Sequence, residues 1–189
     1  GERHEGYLSE IDGSFEPFLR YLPDQPPPAR GYPLLVYLHG YAPDLNSVNG
    51  SHLPEELADI AGEMGFAIVN PFGRSNTDFQ GVGEQDVMRV IDEMASRYSI
   101  DPDRIILAGH SMGGMGVWTI GAHYPERFAA LVVVAARGDY YHWREVDRDT
   151  LPSYKRVLVD TEFVPAFMLP NLARLPVLVS HGSLDNIVP

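Results

Sequence analysis

A run of β-branched and apolar residues leads into Gly109-His110-Ser111-Met112-Gly113, and a helix-like run follows at once, in RIILAGHSMGGMGVW at residues 104–118. The spacing is G-x-S-x-G in a strand–turn–helix context. A turn that sharp needs flanking positions almost free of side chain. It holds the serine hydroxyl clear of the sheet, with a helix N-terminus beneath it, where N–H groups can stabilise a developing oxyanion. Ser111 is thereby the candidate nucleophile, and the N–H of Met112, the next residue, the first candidate oxyanion donor. Two other glycine-loop chemistries fail on single positions. A Walker loop needs Lys where Met115 stands, and a dinucleotide fingerprint needs Gly where Thr119 stands. A glycine turn with an incidental serine is the plain alternative.

Two further stretches converge on the same chemistry. LLVYLHGYAPD ends an apolar run at His39-Gly40-Tyr41. The loop after such a strand offers a second oxyanion donor, and the Tyr41 N–H is the one expected. His39 reads as a residue that orients this loop. LPVLVSHGSLDNIVP is an apolar run, a turn and Asp185, which fits the acid of a triad in the chain order Ser, acid, His.

The elements that must position these residues are readable from periodicity. Five short apolar runs recur, at 34–38, 66–70, 104–108, 130–136 and 176–181, as in parallel strands covered on both faces. Helical patterns separate them. Leu57, Ile60, Ala61 and Met64 form one i, i+3, i+4, i+7 stripe, and Val87, Val90, Ile91 and Met94 form another. Gly65 is the expected stop of the first helix, and Asp101-Pro102 a break after the second. Ahead of them, two half-alternating runs flank Asp12-Gly13 as a hairpin, and DQPPPARGYP is a surface link. The pattern predicts a doubly wound, mostly parallel α/β sheet with helices on both faces. Residues 137–175 form a long insert at the carboxyl edge of the sheet, where open α/β folds bind ligands. It carries Tyr140, Tyr141, Trp143, Phe163, Phe167 and Met168. These read either as a lid-like pocket wall or as a small satellite core. His110, Tyr141 and Trp143 are the residues expected to meet substrate.

Composition bounds the partners. The 189 residues suffice for one domain, and 26 acidic against 14 basic residues give a formal charge of −12. That balance opposes nucleic acid and polybasic membrane anchoring. No apolar run is long enough to span a bilayer. The absence of cysteine excludes disulfides and thiolate metal sites. No cofactor or metal is expected, and the compartment is secreted or cytoplasmic.

PLLVYLHGYA, IDPDRIILAGHSMGGMGVW, YPERFAALVVVAA and LPVLVSHGSLDNIVP together resemble the α/β-hydrolase superfamily, in its esterase and prolyl-oligopeptidase-like branch. Within it the chain is similar to the group of feruloyl esterases, acetyl xylan esterases and polyhydroxybutyrate depolymerases. The resemblance implies an α/β-hydrolase fold and a metal-free ester hydrolase with a Ser-Asp-His triad, acting on small-molecule or polymer-linked esters. A serine peptidase and a non-catalytic hydrolase-like binding protein are the alternatives.

The resemblance also implies a histidine after Asp185, and only Asn186, Ile187, Val188 and Pro189 follow it. His4, His39, His52, His110, His123, His142 and His181 are available. A rival triad of Ser111, Asp139 and His142 or His181 keeps the chain order. The favoured expectation is a single domain over 1–189 whose C-terminal part is missing. The histidine then lies beyond residue 189, in a following segment or a second chain.

Overall fold

A computed structural model describes residues 1–46 and 53–188; His52 lies outside the described residues. The chain opens with β1 (Glu2–Leu8) and β2 (Phe15–Tyr21), antiparallel and joined at the expected turn. There Gly13 takes φ 73°, and the Ser14 N–H donates to Asp12 Oδ1 at 3.1 Å. The turn is pinned to the loop after β4 (Ala67–Pro71) by Arg74, which binds Asp12, Ser9 and Asp86.

The remaining strands are β3 (Tyr32–Leu38), β5 (Ile100–His110), β6 (Ala130–Val134) and β7 (Val177–Ser180). They form a seven-stranded sheet in the order β1-β2-β4-β3-β5-β6-β7. From β4 to β7 every pairing is parallel, whereas β2 runs antiparallel to both β1 and β4. All five apolar runs are strands. Leu34, Val36, Leu38, Ile68, Val69 and Leu107 are wholly buried, as strands covered on both faces require.

Between β3 and β4 lies α1 (Glu55–Met64), between β4 and β5 lies α2 (Val82–Arg97), and after β5 comes α3 (Met112–His123). The chain steps from β3 outward to β4, then back across to β5 and on to β6. Right-handed crossovers therefore place α1 on one face of the sheet and α2 and α3 on the other. The carboxyl ends of β3 and β5 flank the point where this direction reverses. Open α/β sheets make their binding crevice at such a point.

Two elements differ from expectation. In α2 the predicted stripe is the buried one, with Val87, Val90, Ile91 and Met94 at most 1% exposed. In α1 only Ala61 of its stripe is buried, while Ile60 and Met64 face solvent. The inner face of α1 is small instead, because a β-carbon at Gly62 would collide with the Tyr21 hydroxyl. Gly65 does end α1, at φ 71°, its N–H reaching the Ala61 and Gly62 carbonyls. Asp101-Pro102 lies inside β5 and is not a break before it. Tyr32 pairs with Ile100 but Leu34 with Ile105, so residues between them bulge from the ladder, and proline is tolerated there.

The insert folds as α4 (Tyr140–Arg144), α5 (Ser153–Glu162) and 3-10 turns over Arg148–Thr150 and Pro165–Leu172. Buried Val164 and Leu172 and the packed Met168 tie its second half to the body. Among the described residues, no helix is long and apolar enough to cross a membrane.

Candidate active site

Ser111 sits between β5 and α3 at φ 55°, ψ −119°, a backbone region that L-residues rarely occupy. The surroundings hold it there. Its N–H donates to the Val134 carbonyl at 2.9 Å, and its carbonyl accepts the Met115 N–H at 3.2 Å. The flanking glycines are compulsory. A β-carbon at Gly109 would strike the Gly113 carbonyl group, and one at Gly113 would strike the backbone at the end of β3. The G-x-S-x-G spacing is therefore enforced by contact with neighbouring main chain.

The loop after β3 comes next to the serine. A β-carbon at Gly40 would lie 3.7 Å from Ser111 Cβ and 3.3 Å from His110 Nδ1. His39 orients this loop, as its position suggested. Its ring nitrogens lie 2.9 Å from the Gly40 carbonyl and 3.2 Å from that of Phe72, and its ring meets Phe79 edge-on at 4.9 Å. Asn76 clamps the same loop from the far side. Its Oδ1 accepts the Ala42 N–H at 3.1 Å and its Nδ2 donates to the Ala42 carbonyl at 2.8 Å. Among the described residues the N–H groups of Tyr41 and Met112 have no acceptor.

Tyr41, Ser111, Met112 and Trp143 line one cavity of ≈ 540 Å³, together with Asn76, Asp78, Met115 and Arg137. Its outer wall is the insert: Tyr140 lies 5.4 Å from Phe163 and 6.4 Å from Trp143, ring to ring. A hollow of ≈ 700 Å³ near the β1–β2 turn is larger, but its Ser14 hydroxyl lies within hydrogen-bond distance of Asp12 and Glu16, and its Ser75 hydroxyl donates to the Leu45 carbonyl. Size alone does not mark the site; the elbow serine does.

Two residues expected to meet substrate, Tyr141 and His110, lie outside the cavity lining, and Asp185 lies beside it. Tyr141 does not line the cavity. It is buried, and its hydroxyl donates to Asp160 Oδ1 at 2.8 Å, so it packs the insert. His110 is exposed and lies against Gly40 outside the cavity lining. Asp185 is half-buried on the loop after β7, and its neighbours Ile187 and Val188 reach the cavity. Its Oδ1 accepts the N–H groups of Ile187 and Val188, both at 2.9 Å. The Val188 and Ile187 N–H groups hold its carboxyl below the usual aspartate range, helped by the nearby His181 and His110. Phe167 and Met168 also lie off the cavity. Phe167 is exposed under the Arg148 guanidinium, and Met168 packs on the core.

Among the described residues no group hydrogen-bonds Ser111 Oγ. His181 Nε2 lies 2.6 Å from the Val188 carbonyl and 3.7 Å from Asp185 Oδ2. His123 pairs with Glu84, and Asp139 of the rival triad caps α4 by accepting the Tyr141 and His142 N–H groups. Asn76, Asp78, Arg137 and Arg144 line the cavity and escaped sequence reasoning. Arg137 left one signal: it is the first charged residue after the apolar run of β6. Among the described residues no cluster of acidic or histidine side chains could hold a metal.

Comparison with known proteins places this geometry. Residues 73–189 match the prolyl oligopeptidase family. The chain is 38% identical over 102 residues to the bifunctional acetylxylan esterase/xylanase XynS20E of Neocallimastix patriciarum, covering 52% of this chain and 15% of that protein. To dipeptidyl-peptidase 5 of Porphyromonas gingivalis it is 28% identical over 116 residues, 55% of this chain and 17% of that one. The chain thus spans under a fifth of the length of either relative. Among solved structures, FphF, a fluorophosphonate-binding serine hydrolase of Staphylococcus aureus, superposes with a TM-score of 0.77 at 19% identity, over 99% of this chain and 81% of its own. The family match extends from the loop that carries Asn76, through the elbow, to the loop of Asp185. The chain belongs to the prolyl oligopeptidase family and has the α/β-hydrolase fold.

Proposed function

We propose that the protein is a serine hydrolase that cleaves carboxylic esters through an acyl-enzyme. The observation that carries this reading is the strained Ser111, fixed between two compulsory glycines and opening into a cavity with two unpartnered N–H groups. Ser111 Oγ attacks the acyl carbonyl. The N–H groups of Tyr41 and Met112 receive the oxyanion, and one such donor contributes about 3 kcal/mol to transition-state stability. Asp185 keeps its outer oxygen for the N–H of an imidazole. That imidazole takes the serine proton and returns it to the leaving alcohol, and water then releases the acyl group. None of the described histidines is bonded to Ser111, so the reading assigns the base to a histidine beyond residue 189 or on a second chain. The insert over 137–175 serves as the cavity wall.

A fluorophosphonate probe tests the assignment directly. Peptide mass spectrometry is expected to find the label on Ser111 and none on a Ser111→Ala variant, which also loses turnover of an aryl ester. Absence of label on the full-length protein, with the histidine-bearing segment or partner present, would instead support a non-catalytic binding protein.

A peptidase reading is favoured by one observation, the kinship with dipeptidyl-peptidase 5 within the prolyl oligopeptidase family. Both readings use the same residues. Comparing 4-nitrophenyl acetate with aminoacyl-4-nitroanilides separates them, since ester cleavage without anilide cleavage supports the esterase.

A further inference from the structure

We propose that the Ser111 cavity selects substrates bearing a carboxylate close to the scissile carbonyl, with Arg137 and Arg144 as its hosts. The inference rests on the hydrolase reading and names the substrate class of that site.

Arg137 is only 7% exposed, an uncommon place for a guanidinium, and it lines the cavity with Ser111. Its hydrogen bonding is incomplete. Nη2 donates to Asp78 Oδ2 at 2.9 Å, Nη1 abuts the sulfur of Met115, and Nε is buried without a partner. A sulfur is a weak acceptor, so this guanidinium holds donors that no oxygen of the described residues uses. Unmet donors on a buried charge are costly, and an arriving carboxylate would satisfy them in the fork geometry that arginine offers.

The group is also held in place. Its guanidinium stacks 4.2 Å from the Trp143 ring centre and 5.7 Å from that of Tyr140. Asp78, its one acidic partner, has φ 55° on a loop packed by the buried Phe79. Asp78 neutralises one positive charge, and Arg144 restores it. The Arg144 guanidinium lies 3.9 Å from the same Trp143 ring, lines the cavity and makes no ion pair among the described residues. A locally positive wall in a chain of formal charge −12 is a selective feature, because the overall field repels anions. The wall is near the reaction centre. Met115, against which Arg137 rests, lies four residues beyond Ser111, about 6 Å along the helix.

The carboxylate can belong to the acyl group or to the alcohol, and two substrate pairs separate these. Ethyl hydrogen glutarate against ethyl valerate tests the acyl side. 4-Acetoxybenzoate against its methyl ester tests the alcohol side. In at least one pair the anionic member is expected to have a kcat/KM about tenfold higher, the size of one charge-assisted hydrogen bond. That ratio is expected to fall about tenfold in Arg144→Gln and in Arg137→Lys. Arg144 is exposed, so its variant stays informative if the buried one fails to fold. Neutral esters cleaved as well as anionic ones in both pairs, or a ratio unmoved by either variant, would overturn the proposal. If no ester is cleaved and Ser111 resists labelling, the hydrolase reading has failed on its own. Tryptophan fluorescence, reporting on Trp143, then decides the anion site. A saturable change with glutarate or 4-hydroxybenzoate that weakens in Arg144→Gln supports it, and no saturable change with either anion overturns it.

Discussion

The α-carbon of Gly113 rests against the main-chain carbonyl of Leu38, so that a β-carbon there would overlap that oxygen and lie 2.7 Å from the carbonyl oxygen of His39. The first turn of α3 is therefore seated on the end of β3, and the nucleophile and the Gly40 loop are positioned by one contact. Neither partner yields easily, because both are buried main chain, one in the first turn of α3 and the other at the end of β3. Gly113→Ala is expected to destabilise the fold by about 1–3 kcal/mol or more and to abolish fluorophosphonate labelling of Ser111. Gly138→Ala is the control. A β-carbon there meets nothing within 4 Å, so its stability should stay within about 0.5 kcal/mol of wild type in a denaturant titration.

The two oxygens of Asp185 face different neighbours. Oδ1 builds its own loop by accepting the Ile187 and Val188 N–H groups, and Oδ2 is turned toward the histidine side, 3.7 Å from His181 Nε2. Asp185→Asn keeps an oxygen for the loop and removes the charge. Its melting temperature should fall at neutral pH by less than that of Asp185→Ala, because only the charge's share of the loop stabilisation is lost, while turnover falls on the order of 10⁴-fold, as when a triad acid loses its charge. Asp185→Ala should lower both. The folded pKa is depressed, chiefly by the Val188 N–H, so the loop's stabilisation is present above the ordinary carboxyl value and is lost as pH falls through the depressed one. Equal turnover for Asp185→Asn and wild type would remove Asp185 from the triad.

A pH effect of opposite sign is expected from His123. At the end of α3 its Nδ1 meets Glu84 Oε2 at 2.7 Å, near the start of α2. That hydrogen bond raises the imidazole pKa in the folded chain, against the effect of burial. The stabilisation is complete below the ordinary imidazole value of about 6.5 and is lost as pH rises through the raised folded value. The melting temperature of wild type minus that of His123→Gln should therefore shrink with rising pH. A difference that is flat or grows through that window would contradict the pairing.

What could be read without coordinates follows the range of each interaction. Strands β3 to β5 were legible because burial on both faces makes each a short apolar run; β7 was legible as an apolar run although it stands exposed at the sheet edge, with Leu178 62% and Val179 53% exposed. Ser111 was legible because its glycine spacing and strand–turn–helix context are local, although the contact that makes Gly113 compulsory is with the distant end of β3. The inner face of α1 was not, because a helix that approaches Tyr21 closely selects Ala61 and Gly62 and leaves Ile60 and Met64 outside. Asp101-Pro102 reads locally as a break, and only the register of β3 against β5 shows it to be a bulge. Asn76 and the pair Asp78–Arg137 join segments far apart in the chain; the charge of Arg137 after the apolar run of β6 was a local sign, but nothing local named its partner. Tyr141 and Trp143 stand two residues apart on α4, so composition could not say which faces the cavity.

That last ambiguity can be tested by two substitutions with opposite signatures. Trp143 lines the cavity, carries both guanidinium contacts, and donates through Nε1 to the Ile187 carbonyl at 3.2 Å, bridging the insert to the acid loop. Leu172 is buried at the far end of the insert, 6% exposed, and belongs to the main core. If the insert is the pocket wall, Trp143→Ala should lower kcat/KM about tenfold, mostly through KM, because an interaction made equally in ground and transition states is lost. Its melting temperature should change little, since Trp143 is only half-buried and the docking contacts of Val164 and Leu172 remain. Leu172→Ala should do the reverse, costing about 2–5 kcal/mol of stability with KM retained. A satellite core without a binding role predicts that both variants lose stability and neither moves KM. Michaelis profiles and melting curves on the two proteins distinguish the cases, because each reading assigns the KM change and the stability change to different residues.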